Sequence, residues 1–244
     1  ISHWGHDFRP EYRQLAVLKQ KIPGATMHAY TATATERVRD DIIGQLGLED
    51  PAILVGCFDR PNLIYRLVPR LDLREQVRDV LSRHPRQGVI VYCISRKDTE
   101  KLAEVLVAEG HKAACYHAGL EPGERHATQE AFATDEIDVV VATVAFGMGI
   151  DRSDVRCVLH AAMPKSVEHY QQETGRAGRD GLAAECVLLH SPADGLKWRM
   201  VLERGAADSS GTGDGLEASL ELLDGIRRFC APGRCRHKAL SEYL

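Results

Sequence analysis

No Gly-x-x-x-x-Gly-Lys-Ser/Thr loop occurs in the 244 residues, and there is no Gly-Lys pair at all. Such a loop cradles nucleotide phosphates and, with an acidic partner, holds magnesium. The chain alone is therefore expected not to complete Mg-ATP chemistry. No apolar run approaches the ~20 residues that span a bilayer, so no membrane partner is expected. No signal-like stretch opens the chain, and a cytoplasmic location is the expectation. Positive charge is also short, with 31 Lys and Arg against 35 Asp and Glu and a net charge of −4. That excludes a global basic field, and any nucleic-acid site must be a local groove. The seven cysteines do not form a disulfide framework. Most are scattered through apolar, strand-like runs, where reduced and buried thiols belong.

The 44% hydrophobic content suffices for one full α/β domain and additional material. Near the start, Pro10 opens a predicted helix to about Gln20, with Leu15 and Leu18 on one face. A strand is expected near Thr26–Thr31. Thr33 and Glu36 have capping-box spacing ahead of a helix over Ala34–Leu46, which Gly47 ends. A further strand is expected over Ala52–Phe58, and Pro61 marks a connector. Two strands and two helices are too little for an independent, doubly covered sheet. Residues 1–62 therefore read as the tail of a domain whose larger part is expected upstream.

From Leu63 the order becomes regular. Helices are predicted over Asp72–His84, Arg96–Glu109 and Glu121–Ala133, with a short one at Ser166. Strands are predicted over Val89–Cys93, Ala113–His117, Asp138–Thr143, Arg156–His160 and Ala184–His190. These strands are short and continuously apolar, as strands buried on both faces are. Their alternation with helices predicts a parallel sheet with right-handed crossovers and helices on both faces. Ligands of such sheets bind beyond the carboxyl ends of the strands. Ser95-Arg96, His117-Ala-Gly, the stretch from Thr143 and Met163-Pro-Lys-Ser all fall at strand ends, which predicts one polar, glycine-bearing edge. Ala206–Gly215 reads as a linker and Leu216–Phe229 as a helix.

The densest chemistry is Gln172–Gly181, Gln-Glu-Thr-Gly-Arg-Ala-Gly-Arg-Asp-Gly. Its glycines let a backbone approach an anion, and Arg176 and Arg179, three apart, can share a face. A glycine-rich turn with surface arginines is the competing reading. Ser95 is a good N-cap, and the helix start behind it offers N–H groups to an anion, with Arg96 alongside. Taken singly, His117 suits an ordinary loop histidine. Thr143–Asp151 combines two glycines, a hydroxyl and a carboxylate, the pattern of a turn with a core plug or of a nucleotide-responsive loop. Trp4 and Phe8 suit simple core packing.

In this order the motifs resemble those of the RecQ family of DNA helicases, in helicase superfamily two. Val89–Arg96, Tyr116–Leu120, Ala142–Asp151 and Gln172–Gly181 are similar to the family's second-lobe motifs. Thr31–Thr35 resembles its Thr-Ala-Thr motif, Phe58–Asn62 its interdomain connector, and Trp4–Tyr12 its aromatic-rich loop, with His3 where the family usually carries glutamine. The resemblance implies a RecA-like (P-loop NTPase-like) α/β fold with a C-terminal helical extension. It implies an ATP-dependent helicase moving 3′ to 5′, acting in DNA recombination and repair; the alternatives are a non-catalytic nucleic-acid- or protein-binding module that keeps a helicase lobe, and an RNA helicase of the same superfamily. Residues 1–62 would close the first RecA-like domain, 63–205 form the second, and 206–244 form a linker and the start of a zinc-binding helical domain. Arg179, with Arg176 and Gln172, would reach ATP held by an upstream lobe, with Gly149 and Asp151 sensing the nucleotide. Ser95, Arg96, His117 and Thr143 would grip DNA phosphates, joined by Trp4, Phe8 and Arg9, and Thr31 and Thr33 would couple nucleotide state to strand movement. Cys235 would open a four-cysteine zinc site that is expected to continue past Leu244. Implied cofactors are ATP, Mg2+ and Zn2+. Implied partners are single-stranded and duplex DNA, the upstream lobe and a single-strand-binding protein, in a bacterial cytoplasm or nucleoid.

Overall fold

The computed structural model describes residues 15–22, 24–31, 36–56, 59–143, 146, 152–208 and 214–243. These fall in two compact units, one of residues up to Asp59 with those from Lys238 on, the other Arg60–His237. The first unit holds α1 (Ala16–Lys21) and α2 (Glu36–Leu46). Gly47, at φ 59°, ends α2 as expected. Thr33, the partner in the predicted capping box, lies outside the described residues. Among the described residues neither predicted strand of this unit is present: residues 25–31 and 51–56 are irregular. Tyr30 is 90% exposed and Leu54 95%. Both segments carry β-forming side chains, but a strand needs a paired neighbour for its backbone groups, and the described residues supply none.

The second unit is a six-stranded, all-parallel sheet in the order β1-β6-β5-β2-β4-β3. Along the chain it runs β1 (Leu63–Pro69), α3 (Leu73–Ser82), β2 (Gly88–Tyr92), α4 (Arg96–Ala108), β3 (Ala113–Tyr116) and α5 (Pro122–Ala133). Then come β4 (Val139–Ala142), β5 (Val155–His160), α6 (Val167–Thr174), β6 (Ala184–His190), α7 (Pro192–Asp208) and α8 (Asp214–Cys230); α9 (Arg236–Tyr243) follows, and its residues from Lys238 on belong to the first unit. All residues of β2 and β4 are buried, which explains their unbroken Val-Ile-Val and Val-Val-Val runs. On one face Val77, Val80 and Leu81 of α3 and Leu102 and Leu106 of α4 pack on Val89, Val91, Val139, Val141 and Leu159. On the other, Phe132 of α5, Phe146 and Ala177 pack on Ile90, Val140, Val158 and Cys186. The core is therefore covered on both faces, and ligands are left with the edges.

The helix starts follow from their caps: Asp72, Ser95 and Ser166 each accept the backbone N–H three residues on. Three elements were not anticipated. In β1, inward Leu63, Tyr65 and Leu67 alternate with outward Ile64, Arg66 and Val68. Its charge and closing proline suit the sheet edge it occupies. α7 begins at a proline and carries Gly195 and Gly205, which disguise a helix. It continues to Asp208, into the segment read as a linker. α9 follows Gly233, at φ 88°. Among the described residues no helix is long and apolar enough to cross a membrane.

The buried Asp194 ties three pieces together. It accepts from Arg70 (2.5 Å), from Ser191 N (2.9 Å) and from Met163 N (3.1 Å). At the amino ends of the strands, Glu185 is gripped by Arg66 (2.5 Å), Arg83 and His84 (2.9 Å). Burial pushes the Glu185 carboxyl up, but the His84 hydrogen bond and the Arg83 and Arg66 guanidinium groups outweigh it and hold it low.

Candidate nucleotide and nucleic-acid surface

The carboxyl ends of β2, β3 and β4 bring three predicted stretches to one edge. Ser95 caps α4: its Oγ accepts from Asp98 N (3.2 Å) and donates to Asp98 Oδ2 (2.7 Å). Arg96, the first helical residue, is exposed. A Cβ on Gly119 would lie 2.9 Å from Arg96 Nη1, so the missing side chain lets Arg96 lie close over the turn after β3. Thr143 follows β4 and accepts from Phe146 N (3.0 Å) in a turn. The helix N–H groups that the Ser95 cap leaves over, an exposed guanidinium and a hydroxyl are a phosphate-binding set.

His117 is at the same edge but is turned inward. Its side chain is 3% exposed, with Nε2 2.9 Å from Glu100 Oε1. Nδ1 accepts from Gly119 N (3.2 Å). The ring thus shapes the 117–119 turn and does not present itself at the surface, because the carboxylate on α4 offers it a partner within the fold.

The backbone of the Gln172–Gly181 stretch meets the amino end of β5. α6 descends across the sheet face, and the loop after it meets the amino ends of the strands. Gly178 N donates to Val155 O (2.9 Å) and Asp180 N to Ser153 O (3.3 Å), both at the start of β5. The loop is also held by two residues just ahead of β1. Arg60 donates to the carbonyls of Ala177 (3.1 Å) and Gly178 (2.7 Å), and Asn62 to those of Gly178 (2.9 Å) and Leu182 (2.9 Å). Gln172 and Arg179 are exposed, and Arg176 is half-buried.

Tyr92, the last residue of β2, connects the two regions. Its hydroxyl donates to Phe146 O (3.0 Å), within the Thr143–Asp151 stretch. The Arg176 guanidinium hydrogen-bonds the same hydroxyl, and the Arg179 charge also bears on it. Burial raises the Tyr92 phenol far above its ordinary value against the pull of these arginines, so it stays a neutral hydroxyl. The ring stacks on His160 (5.3 Å between centroids), and His160 Nε2 meets the buried Glu173 at 2.7 Å. Glu173 precedes Arg176 by one helical turn. Sequence reading took Tyr92 as one more buried strand residue. The available signal was a hydroxyl in an otherwise aliphatic run.

His169 on α6 gives a pH-dependent prediction. Burial, aided by the Lys165 charge, lowers it from 6.5 to about 4. The neutral ring faces the Ser166 hydroxyl at 2.9 Å. A His with a folded value below its unfolded one contributes stability above pH 6.5 that is lost as pH falls toward 4. The gap is worth roughly 3 kcal/mol. His169→Gln is expected to flatten that loss, read as the urea midpoint at pH 7 and at pH 5 in both proteins.

Thr31 lies in the irregular, exposed part of the first unit. Trp4, Phe8, Arg9, Thr33, Gly149 and Asp151 lie outside the described residues. Cys235 is exposed, while burial pushes the nearby Cys230 thiol to about 12 and keeps it protonated. Among the described residues the one group of three potential metal ligands is His84, Cys157 and Glu185, which does not include Cys235. Its carboxylate is already held by Arg66 and Arg83, whose charges oppose a cation. A structural zinc site wants four ligands, and the described residues do not complete one at Cys235. A triphosphate does suit the arginine loop, since one guanidinium is exposed and a second is braced beside it.

Comparison with known proteins agrees with this geometry. Residues 72–181 match the model of the helicase conserved C-terminal domain. The chain is 46% identical over its whole length to "ATP-dependent DNA helicase RecQ" of Pasteurella multocida, covering 38% of that protein. It is 44% identical to the Haemophilus influenzae protein of the same name, covering 39% of it. The Xenopus laevis "RecQ-like DNA helicase BLM" is also 44% identical across the whole chain, which covers 18% of that protein. The chain thus spans about two fifths of the length of the bacterial relatives. With a six-stranded parallel lobe, the motif order along its strand ends and identity over its full length, the chain belongs to the RecQ family of superfamily two helicases.

Proposed function

We propose that the chain supplies the second lobe of a motor that uses ATP to unwind DNA in the 3′-to-5′ direction, in recombination and repair. The observation that carries this reading is the convergence on Tyr92 of two arginine charges, one of them on an exposed side chain. A guanidinium that can be delivered to a transferring γ-phosphate stabilises the charge of the transition state. Arg179 is assigned that role, with Arg176 bracing it and Gln172 on α6 helping to position them. Gly149 and Asp151 would respond to the nucleotide. ATP and Mg2+ would be held mainly by a first lobe, and ATP supplies the free energy when bound.

Ser95, Arg96 and Thr143 would hold the phosphates of the tracking strand, with His117 acting through the turn it shapes. Trp4, Phe8 and Arg9 would sense DNA, and Thr31 and Thr33 would couple the two events. Residues 1–62 would belong to the first RecA-like domain, 63–205 to the second and 206–244 to a linker and zinc-binding helical domain, to which Cys235 contributes a ligand. The protein would work on single-stranded and duplex DNA in the bacterial cytoplasm or nucleoid, alongside a single-strand-binding protein. Because residues 1–244 contain no Walker loop, this polypeptide by itself is expected to hydrolyse no ATP above background.

The test uses the complete protein and a duplex with a 3′ single-stranded tail. ATP- and Mg2+-dependent strand separation is expected there, and none on a 5′-tailed duplex. Failure on both substrates, with DNA bound, would discard the motor reading.

A further inference from the structure

Arg60 and Asn62 have no part in the contacts assigned above to phosphate or DNA, yet they make four hydrogen bonds to one loop. Gly178 O receives two of them, from Arg60 Nη2 at 2.7 Å and Asn62 Nδ2 at 2.9 Å. Ala177 O and Leu182 O receive one each. Ala184 N closes the circuit by donating to Asn62 O at 3.0 Å. The two donors are themselves fixed, because Leu63 begins the β1 pairing with Ala184 of β6. Gly178 has no room to adapt: at φ 55°, a Cβ there would lie 2.6 Å from Asn62 Nδ2 and 2.7 Å from Leu182 O. Ala177 and Gly178 lie between Arg176 and Arg179, so their carbonyls are the fixed points from which the exposed arginine projects.

We infer that Arg60 and Asn62 are positioning residues that set the pose of Arg179. The inference rests on the motor reading above and adds to it the groups that aim the arginine. A reacting arrangement misplaced by about 1 Å can lose on the order of 10²-fold in rate. Loss of these donors frees the loop by at least that much without removing the guanidinium.

The experiment is steady-state ATP turnover of the complete protein at saturating single-stranded DNA. Asn62→Ala and Arg60→Ala are each expected to lower kcat by about 10²-fold, with KM for ATP and affinity for DNA within about twofold of wild type. Arg60→Lys, which keeps a cation and a donor, is expected to recover most of the kcat lost by Arg60→Ala. In an Arg179→Ala background, Asn62→Ala is expected to lower kcat no further, because its effect passes through the missing guanidinium. A purely structural role would lower thermal stability and leave kcat at low temperature intact. That result, or an equal loss in the Arg179→Ala background, would overturn the inference. If Arg179→Ala alone kept full turnover, the finger assignment of Arg179 would fall first and would be identified as the failure.

Discussion

Arg179→Ala in the complete protein is expected to lower DNA-stimulated ATP turnover by about 10³-fold or more. The side chain is exposed, and it ends a loop whose backbone is held by Arg60, Asn62 and Val155 O. Little of the fold depends on it, so the variant should unfold at nearly the wild-type temperature. In the proposed role its interaction with the nucleotide would be made chiefly as charge develops on the transferring phosphoryl group. Such a loss falls on kcat and leaves KM for ATP nearly unchanged. Arg179→Lys is expected to recover little, because an ammonium cannot present two parallel donors to phosphate oxygens. Arg176→Ala should behave differently. Arg176 is half-buried and bonded to Tyr92, so its removal also loosens the link to Phe146. It should therefore lose stability as well as rate. Turnover of Arg179→Ala within a few-fold of wild type, at saturating ATP and DNA, would remove the finger assignment.

The parts of the fold that were legible in the sequence are those decided by neighbours in the chain. The runs that became β2, β4 and β6 are apolar because both faces of the sheet are covered. Ser95, Asp72 and Ser166 announce helices because a cap satisfies an N–H three residues away. The same local logic placed Ser95, Arg96 and Thr143 at strand ends. It failed at residues 25–31 and 51–56, where strand-like composition has no partner among the described residues, and in β1, where the partner strand begins at Ala184. The arginine loop could be named but not placed. Asn62 and Gly178 are 116 residues apart, and nothing near Gly178 says that its carbonyl will meet an amide from ahead of β1. Tyr92 was hidden for the same reason, since its hydroxyl finds Phe146 O 54 residues on. His117 is legible as an ordinary loop histidine, but its neighbour Glu100, on a different element, is not.

Gly178→Ala is the substitution expected to damage the second unit most for the atoms it adds. Two separate costs meet at that position. An L-residue held at φ 55° costs about 1–2 kcal/mol. The new methyl would also stand 2.6 Å from Asn62 Nδ2, 2.7 Å from Leu182 O and 3.1 Å from Ala184 Cβ. Two of these neighbours are fixed by the β1–β6 pairing, so the loop must move, at roughly 1–3 kcal/mol for an overpacked site. A combined loss of about 3 kcal/mol lowers Tm by roughly 6–12 °C in a unit of this size. Gly181→Ala separates the two costs. Gly181 lies in the same loop at φ 83°, but nothing lies within 4 Å of a Cβ built there. It should incur the backbone cost alone, a Tm loss of roughly 2–8 °C. The difference between the two melting temperatures therefore measures how firmly Asn62 and Leu182 press on the turn between the two arginines. Adding Asn62→Ala to Gly178→Ala should return part of the stability, because it removes the nearest obstacle while the φ cost remains. Equal melting temperatures for Gly178→Ala and Gly181→Ala would mean that the loop yields freely at residue 178. A loop that yields there could not hold Arg179 in one pose.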